Sequence, residues 1–179
     1  MSIGLKKDTV ILESHQEAWE IEGAAICQKI KTLLGDDIVD AQHVGSTSIR
    51  GICAKPIIDV AVAVRSFDDI FKHNEMLAQN GIVYRKQDIP GQHLYRCGDL
   101  ENNIVTHYIH VVTVDSDAWV NYVNFRDYLN SHPEDAKAYE ELKQGLWSRY
   151  PNDRDSYVDG KKELVTELLA KARSWRAGQ

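Results

Sequence analysis

With 179 residues, 43% hydrophobic and 27% charged, the chain has apolar side chain enough for one well-buried domain and too little for two comfortable ones, so residues 1–179 are expected to form a single domain. A formal charge of −6 argues against the dense Lys/Arg face that non-specific nucleic-acid binding needs, while leaving room for a local basic cleft. Three cysteines, Cys27, Cys53 and Cys97, with no Cys-x-x-Cys pair, point to neither a disulfide framework nor a cysteine zinc site. The opening Met-Ser-Ile-Gly-Leu-Lys-Lys-Asp has no apolar run of signal-peptide length, and no segment approaches the roughly 18 apolar residues of a membrane span. The reduced cytoplasm, with no membrane partner, is the expected setting.

Residues 9–12 form a short apolar strand candidate. Ser14-His-Gln-Glu17 is a capping box of the S-x-x-E kind, opening a long helix that ends at Gly35. Its apolar set of Ile21, Ala24, Ala25, Ile30, Leu33 and Leu34 recurs at helical spacing and is read as core. Residues 38–44 and 56–64 are two strands flanking a Gly45-Ser46 turn. Ser66-Phe-Asp-Asp69 caps a second helix through about residue 80, closed by Gly81. Three more strands, at 82–85, 93–97 and 104–114, are separated by the turn-rich Asp88-Ile-Pro-Gly91 and Gly98-Asp-Leu-Glu-Asn-Asn103.

The last third reads as helical. One helix follows Ser116 and covers 119–129, and Ser131-His-Pro-Glu134 is a further capping box whose helix reaches about Tyr150. Pro151 breaks it, and Asn152 or Asp153 starts a final helix to about Trp175. The expected fold is α+β: a mixed sheet of about five strands, covered by helices mainly on one face.

The stretch from His43 to Val64 carries the chemistry. Gly45 has no Cβ, so the chain turns sharply there and its backbone N–H groups can approach an anion. Ser46, Thr47 and Ser48 add hydroxyl donors, and a helical turn opened by Ser46 would add unpaired N–H groups and a dipole. Pro56 stands where a strand tolerates proline, at its first residue. Beyond it, Ile58, Val60, Val62 and Val64 share one face, and Ile57, Asp59, Ala61 and Ala63 share the other. Asp59 therefore looks onto small residues, where a carboxylate can hold Mg²⁺ together with substrate phosphates; the plainer alternative is a strand carboxylate paired with a nearby Lys or Arg.

A Gly-Ser turn followed about a dozen residues later by a strand aspartate resembles the nucleotidyltransferase superfamily of the polymerase β fold. More closely, His43-Val-Gly-Ser-Thr-Ser48 with Lys55-Pro-Ile-Ile-Asp59 resembles the GrpB family, which is classed as nucleotidyltransferase-like. Later residues match that family's pattern in order: Thr106-His-Tyr-Ile-His-Val111, Trp119, Phe125-Arg-Asp-Tyr-Leu129, His132-Pro133, Tyr139, Leu142-Lys143 and Tyr157-x-x-x-Lys161. The resemblance covers nearly the whole chain, from about residue 10 to about residue 169, and implies a nucleotidyltransferase-like fold with a helical C-terminal third. One departure matters: active members of the superfamily place a second carboxylate two residues after the first, and that position here is Ala61.

His107 and His110 are three apart on a strand and point to opposite faces, so they cannot share a metal without a bulge. His110 is the candidate metal partner of Asp59, in the position where relatives of the superfamily carry a third carboxylate. Lys55 reads as a phosphate partner or a solvated lysine at a strand entry, and Arg96 and Arg126 are comparable as bidentate clamps. Tyr157 and Lys161, spaced i,i+4, project from one helix face toward the same cleft or form a surface pair. The aromatics Trp119, Phe125, Tyr128, Tyr139 and Trp147 recur at helical spacing and are read as core.

Two functions follow. One is an enzyme transferring a nucleoside monophosphate from Mg-NTP to a small acceptor: Gly45, Ser46, Thr47 and Lys55 hold the triphosphate, Asp59 and His110 hold Mg²⁺, and Lys161 or Arg96 neutralises developing charge. The other is a non-catalytic module binding a nucleotide or another phosphate-bearing small molecule. A GrpB-like domain also occurs fused to dephospho-coenzyme A kinase in some bacteria, which suits an accessory role.

Overall fold

The structure, a computed structural model, describes residues 3–6 and 9–179; residues 1, 2, 7 and 8, part of the opening stretch read as lacking a signal-peptide run, lie outside the described residues. In chain order the elements are β1 (Leu5–Lys6), α1 (Glu17–Leu34), β2 (Asp40–Val44), β3 (Ile58–Val64), α2 (Asp68–Phe71), α3 (Asn74–Gln79), β4 (Val83–Ile89), β5 (Gln92–Cys97), β6 (Ile104–Val105), β7 (His107–Thr113), α4 (Asp117–Ser131), α5 (Pro133–Arg149), α6 (Arg154–Asp159) and α7 (Lys162–Ala177). Single 3₁₀ turns at Gly35–Asp37 and Ser46–Ser48 close α1 and follow β2.

The main sheet runs β2-β3-β7-β5-β4, and β1 pairs with β6 in a small ribbon. β3 and β7 are parallel, while the other neighbours in this sheet are antiparallel. The β-branched run puts β3 inside: Ile58, Val60, Val62 and Val64 are fully buried with Ile109, Val111 and Tyr95 under Trp19, Ile26, Ile30 and Leu34 of α1 and under Ile70 and Leu77 of α2 and α3. Ala61 and Ala63 are also fully buried, on the opposite face. There α4 crosses the sheet, with Tyr122 against His110, and packs with α5 and α7 through Tyr128, Leu129, Ala136, Tyr139, Leu168 and Ala172. Helices thus cover both faces, not mainly one. Among the described residues, no helix is long and apolar enough to cross a membrane.

Several local expectations are corrected. Residues 9–12 make no strand; Glu13 forms one isolated bridge with Ala54. Helix α1 begins after Gln16 rather than Ser14 and without a side-chain cap; His15 and Gln16 contact Glu20 and Glu13. The helix expected over 66–80 breaks into α2 and α3, although the Ser66/Asp69 cap forms in both directions. Ser131 does not cap α5; its hydroxyl donates to the Asp127 carbonyl within α4, and Pro133 starts the next helix unaided. The strand expected over 104–114 divides into β6 and β7, and the final helix divides into α6, capped by Asp153, and α7. Ser116 caps α4 and Gly81, at φ +80°, closes α3, both as expected.

Candidate functional site

β2 and β3 pair with Val44 opposite Asp59, so the residue after β2 arrives beside that carboxylate. A Cβ on Gly45 would lie 2.6 Å from Asp59 Oδ2, and the residue has φ +71°. Glycine is therefore needed for conformation and for space. The turn that follows is held by its own hydroxyls. Ser48 Oγ donates to the Gly45 carbonyl at 2.6 Å, and buried Thr47 Oγ1 lies 2.9 Å from His43 Nε2. Ser46 Oγ lies 3.3 Å from the Tyr139 hydroxyl. A single 3₁₀ turn carries little macrodipole, so the charge of the site comes from side chains.

These residues wall a cavity of about 180 Å³ between the sheet and helices α4–α6. Asp59 is enclosed by the fold yet 31% exposed, because what it faces is the cavity. Its Oδ1 lies 3.2 Å from His110 Nε2. On the other side of that ring, Gln92 Nε2 donates to Nδ1 at 3.3 Å and Gln92 Oε1 accepts from the Tyr122 hydroxyl at 2.7 Å. The amide fixes Nδ1 as an acceptor, which leaves the proton on Nε2 to donate to Asp59. Burial pushes the Asp59 carboxyl up, but the His110 hydrogen bond and the positive charge of nearby Lys55 outweigh it, and the net shift is downward.

Among the described residues, four cations face this one carboxylate: Lys55, Lys143, Arg154 and Lys161 all line the cavity. Lys55 and Lys161 hold their ammoniums 5.4 and 4.6 Å from the centre of the buried Tyr157 ring. Lys143, 1% exposed, donates to the Cys53 carbonyl and sits 4.7 Å from the Tyr139 ring centre. Arg154 donates to the Tyr108 hydroxyl at 3.0 Å. Burial, reinforced by Arg154 and Lys161, pulls Lys55 down to about 7. Burial likewise brings Lys143 and Lys161 to about 8. Among the described residues, no ion pair joins any of the four to a carboxylate. Buried cations in such excess are costly until an anion joins them.

Gly45, Ser46, Thr47, Lys55, Asp59, Tyr157 and Lys161 thus meet at one cavity, with His110 behind Asp59. Tyr157 and Lys161 do so from α6 and the residue before α7, rather than from one continuous helix. The hydroxyl of Thr47 is spent inside the fold. Arg96 lies outside the cavity: it pairs across the sheet with Tyr108, but does not reach the lining. Arg126 donates to the His43 carbonyl and pairs with Asp127, in a separate open cleft beside α1. His107 turns to the other face, 3.2 Å from Glu22, as its spacing from His110 requires.

A metal fits this donor set poorly. Among the described residues, Asp59 is the one acid lining the cavity; Ala61 is a buried methyl group, and one Asp59 oxygen is taken by His110. Among the described residues, no three His, Cys, Asp or Glu side chains are grouped to hold a metal ion. The surrounding ammoniums would repel one.

Lys143 and Arg154 were missed as site residues by sequence reasoning, and Tyr139 was read as core. Each leaves a trace. Lys143 falls on the buried stripe of α5 with Ala136 and Tyr139, an unusual place for a lysine. Arg154 opens α6, at the end of a helix that disfavours cations.

Residues 9–171 match the family model described as GrpB protein. Glutamate-rich protein GrpB of Alkalihalophilus pseudofirmus is 41% identical over 170 residues, which are 93% of this chain and 98% of the relative. The UPF0157 protein YqkA of Bacillus subtilis is 33% identical over 85% of this chain, which spans 44% of that longer protein. Among solved structures, GrpB from Enterococcus faecalis superposes with a TM-score of 0.83 at 27% identity, over 92% of this chain and 99% of that one. The Cid1 poly(U) polymerase with MgGTP bound gives a TM-score of 0.52 at 11% identity, over 76% of this chain and 44% of its own, a likeness of fold alone. A family match over most of the length, with a 41% identical relative covered almost end to end, establishes that this chain belongs to the GrpB family, on a nucleotidyltransferase-like fold.

Proposed function

We propose that this chain binds a phosphate-bearing small molecule in the Asp59 cavity, with lysine and arginine side chains neutralising the phosphates where a nucleotidyltransferase would use metal ions. The carrying observation is the charge balance: Lys55, Lys143, Arg154 and Lys161 against Asp59, in an enclosed space beside a Gly-Ser turn. Such a site gains from each phosphate oxygen it takes, since charge-assisted hydrogen bonds are about twice as strong as neutral ones. A nucleotide is the ligand class that the fold favours. Asp59 and His110 orient the ligand and keep the excess positive charge in check.

Nucleotidyl transfer from Mg-NTP to a small acceptor is the second reading. It is supported by the placement of Asp59 against the turn and by the fold shared with Cid1, which was solved with MgGTP. The poor fit of the donor set to Mg²⁺ weighs against it.

Calorimetric titration of the wild type, Lys161→Met and Asp59→Asn with ATP and with tripolyphosphate, each with and without Mg²⁺, separates the two. Binding without Mg²⁺, weakened at least about tenfold by Lys161→Met, is the expected result, a loss of about 1.4 kcal/mol. Binding that requires Mg²⁺ and vanishes in Asp59→Asn moves the assignment to nucleotidyl transfer. If none of these anions binds, both readings fail.

A further inference from the structure

The basic cavity has an apolar neighbour of about 310 Å³, and Gly45, Phe125 and Tyr139 line both. The two rings meet edge to face, with centroids 5.6 Å apart. The partition is therefore two aromatic side chains and one residue with none. Beyond it, Ala118 comes from α4, Val165 and Leu169 come from α7, and Ile89 closes the rim at the β4–β5 hairpin. Ile89 is 51% exposed, and Val165 and Leu169 are half-buried. Among the described residues, no charged side chain lines this space.

Its polar groups already hold protein partners. Gln92 bridges Tyr122 and His110, and Asn121 Oδ1 accepts from Arg173 Nε at 2.9 Å. An occupant is selected there by shape and apolarity rather than by new hydrogen bonds. The bonds from Tyr122 through Gln92 and His110 to Asp59 also tie the wall of the apolar cavity to the carboxylate of the basic one. Small-molecule sites combine an apolar chamber with a few fixed polar groups in this way.

We infer that the two cavities are halves of one site, which takes an aromatic phosphate ester: its phosphates lie among the lysines and its flat apolar group lies between α4 and α7. This inference rests on the phosphate reading of the basic cavity. The flat group is either the base of a nucleotide or the aryl group of a non-nucleotide ester.

The test is calorimetry on the full chain with four probes: tripolyphosphate, ATP, inorganic phosphate and 1-naphthyl phosphate. In the wild type, at least one aromatic probe binds about tenfold or more tightly than its inorganic counterpart. Ala118→Trp, which fills the apolar cavity without touching the basic one, removes that advantage and leaves the inorganic anions unchanged. Val165→Trp fills the same space from the opposite wall and gives the same result should the first variant fold poorly. An advantage for ATP alone identifies a base, and one for naphthyl phosphate alone an aryl ester. If tripolyphosphate binds but neither aromatic probe gains, or the gain survives both fillings, the inference is overturned while the phosphate reading stands. If no probe binds, both are overturned.

Discussion

Gly45 lies so close to Asp59 that a methyl group on its α-carbon would stand 2.6 Å from one carboxylate oxygen and 2.9 Å from Cβ. The close approach sets the geometry of the turn and the direction of the carboxylate together. Gly45→Ala would force on alanine a backbone of φ +71° and ψ −172°, a region essentially reserved for glycine, costing about 1–3 kcal/mol, and would also push Asp59 off His110. Gly91 supplies the control: its φ is +79°, but a Cβ there meets nothing within 4 Å. Gly45→Ala should lower Tm by more than Gly91→Ala, by about 3–8 °C in all, at roughly 2–4 °C per kcal/mol for a chain this long. Equal losses in the two thermal melts would mean that the contact with Asp59 carries no weight.

Asp59→Asn keeps the shape of the site and removes the one carboxylate that lines it among the described residues. An asparagine oxygen can still accept from His110, so the stability lost is about 1 kcal/mol, the difference between a charged and a neutral hydrogen bond. Burial raises the Asp59 carboxyl and the His110 bond and neighbouring cations more than reverse that, so its folded-state value is depressed. Its contribution is therefore present above the ordinary carboxylate range and lost as pH falls through the lower folded value. Denaturation curves of wild type and Asp59→Asn should differ at neutral pH and converge in acid. Tripolyphosphate should bind the variant more tightly, because a negative neighbour is gone; weaker binding would tie Asp59 to a cation instead.

Legibility differed between parts of the site for physical reasons. The alternation in β3 fixed which way Asp59 points, and three-residue spacing separated His107 from His110, because a strand has a strict period of two. Gly45 was readable as a turn. That the carboxylate of Asp59 fills its missing side chain depends on the pairing of β2 with β3, which local pattern does not specify. Lys143 and Arg154 reach the cavity from helices whose packing angles are set by tertiary contacts. Arg96 failed for the converse reason: its strand face was right, but its position along β5 keeps it outside the lining. The capping signal at Ser131 was overridden by a competing partner close by in the chain, the Asp127 carbonyl that its hydroxyl donates to.

The lysines predict a pH dependence. Lys55 at about 7 and Lys143 and Lys161 at about 8 lie below the ordinary lysine range, so between those values and about 10.4 the unfolded chain binds more protons than the folded one. Stability of the ligand-free protein should rise with pH through that window. Phosphate binding favours the charged amines, so affinity should fall from pH 7.5 to 9 and binding at pH 8 should take up protons. Titrations in buffers of different ionisation enthalpy measure that uptake directly. A flat affinity with no proton uptake would place the bound anion away from these amines.

Lys143→Met separates ligand binding from structural support at the most buried of the four cations. The ammonium is 1% exposed, donates to the Cys53 carbonyl and lies against the Tyr139 ring. Methionine matches its length and removes the burial of a charge, but leaves that carbonyl without its partner, a loss of about 1–3 kcal/mol. Relief from enclosing an uncompensated ammonium among Lys55, Lys161 and Arg154 is the larger effect, since exchanging buried charge for apolar volume stabilises many folds by about 1–4 kcal/mol. The ligand-free variant should therefore melt about 2–4 °C higher, corresponding to roughly 1 kcal/mol. Its affinity for tripolyphosphate should fall about five- to tenfold, as expected where binding residues are kept at the expense of stability. A variant that melts lower and binds the anion unchanged would make Lys143 a strut for the Cys53 backbone, and the phosphate site would then rest on Lys55, Arg154 and Lys161.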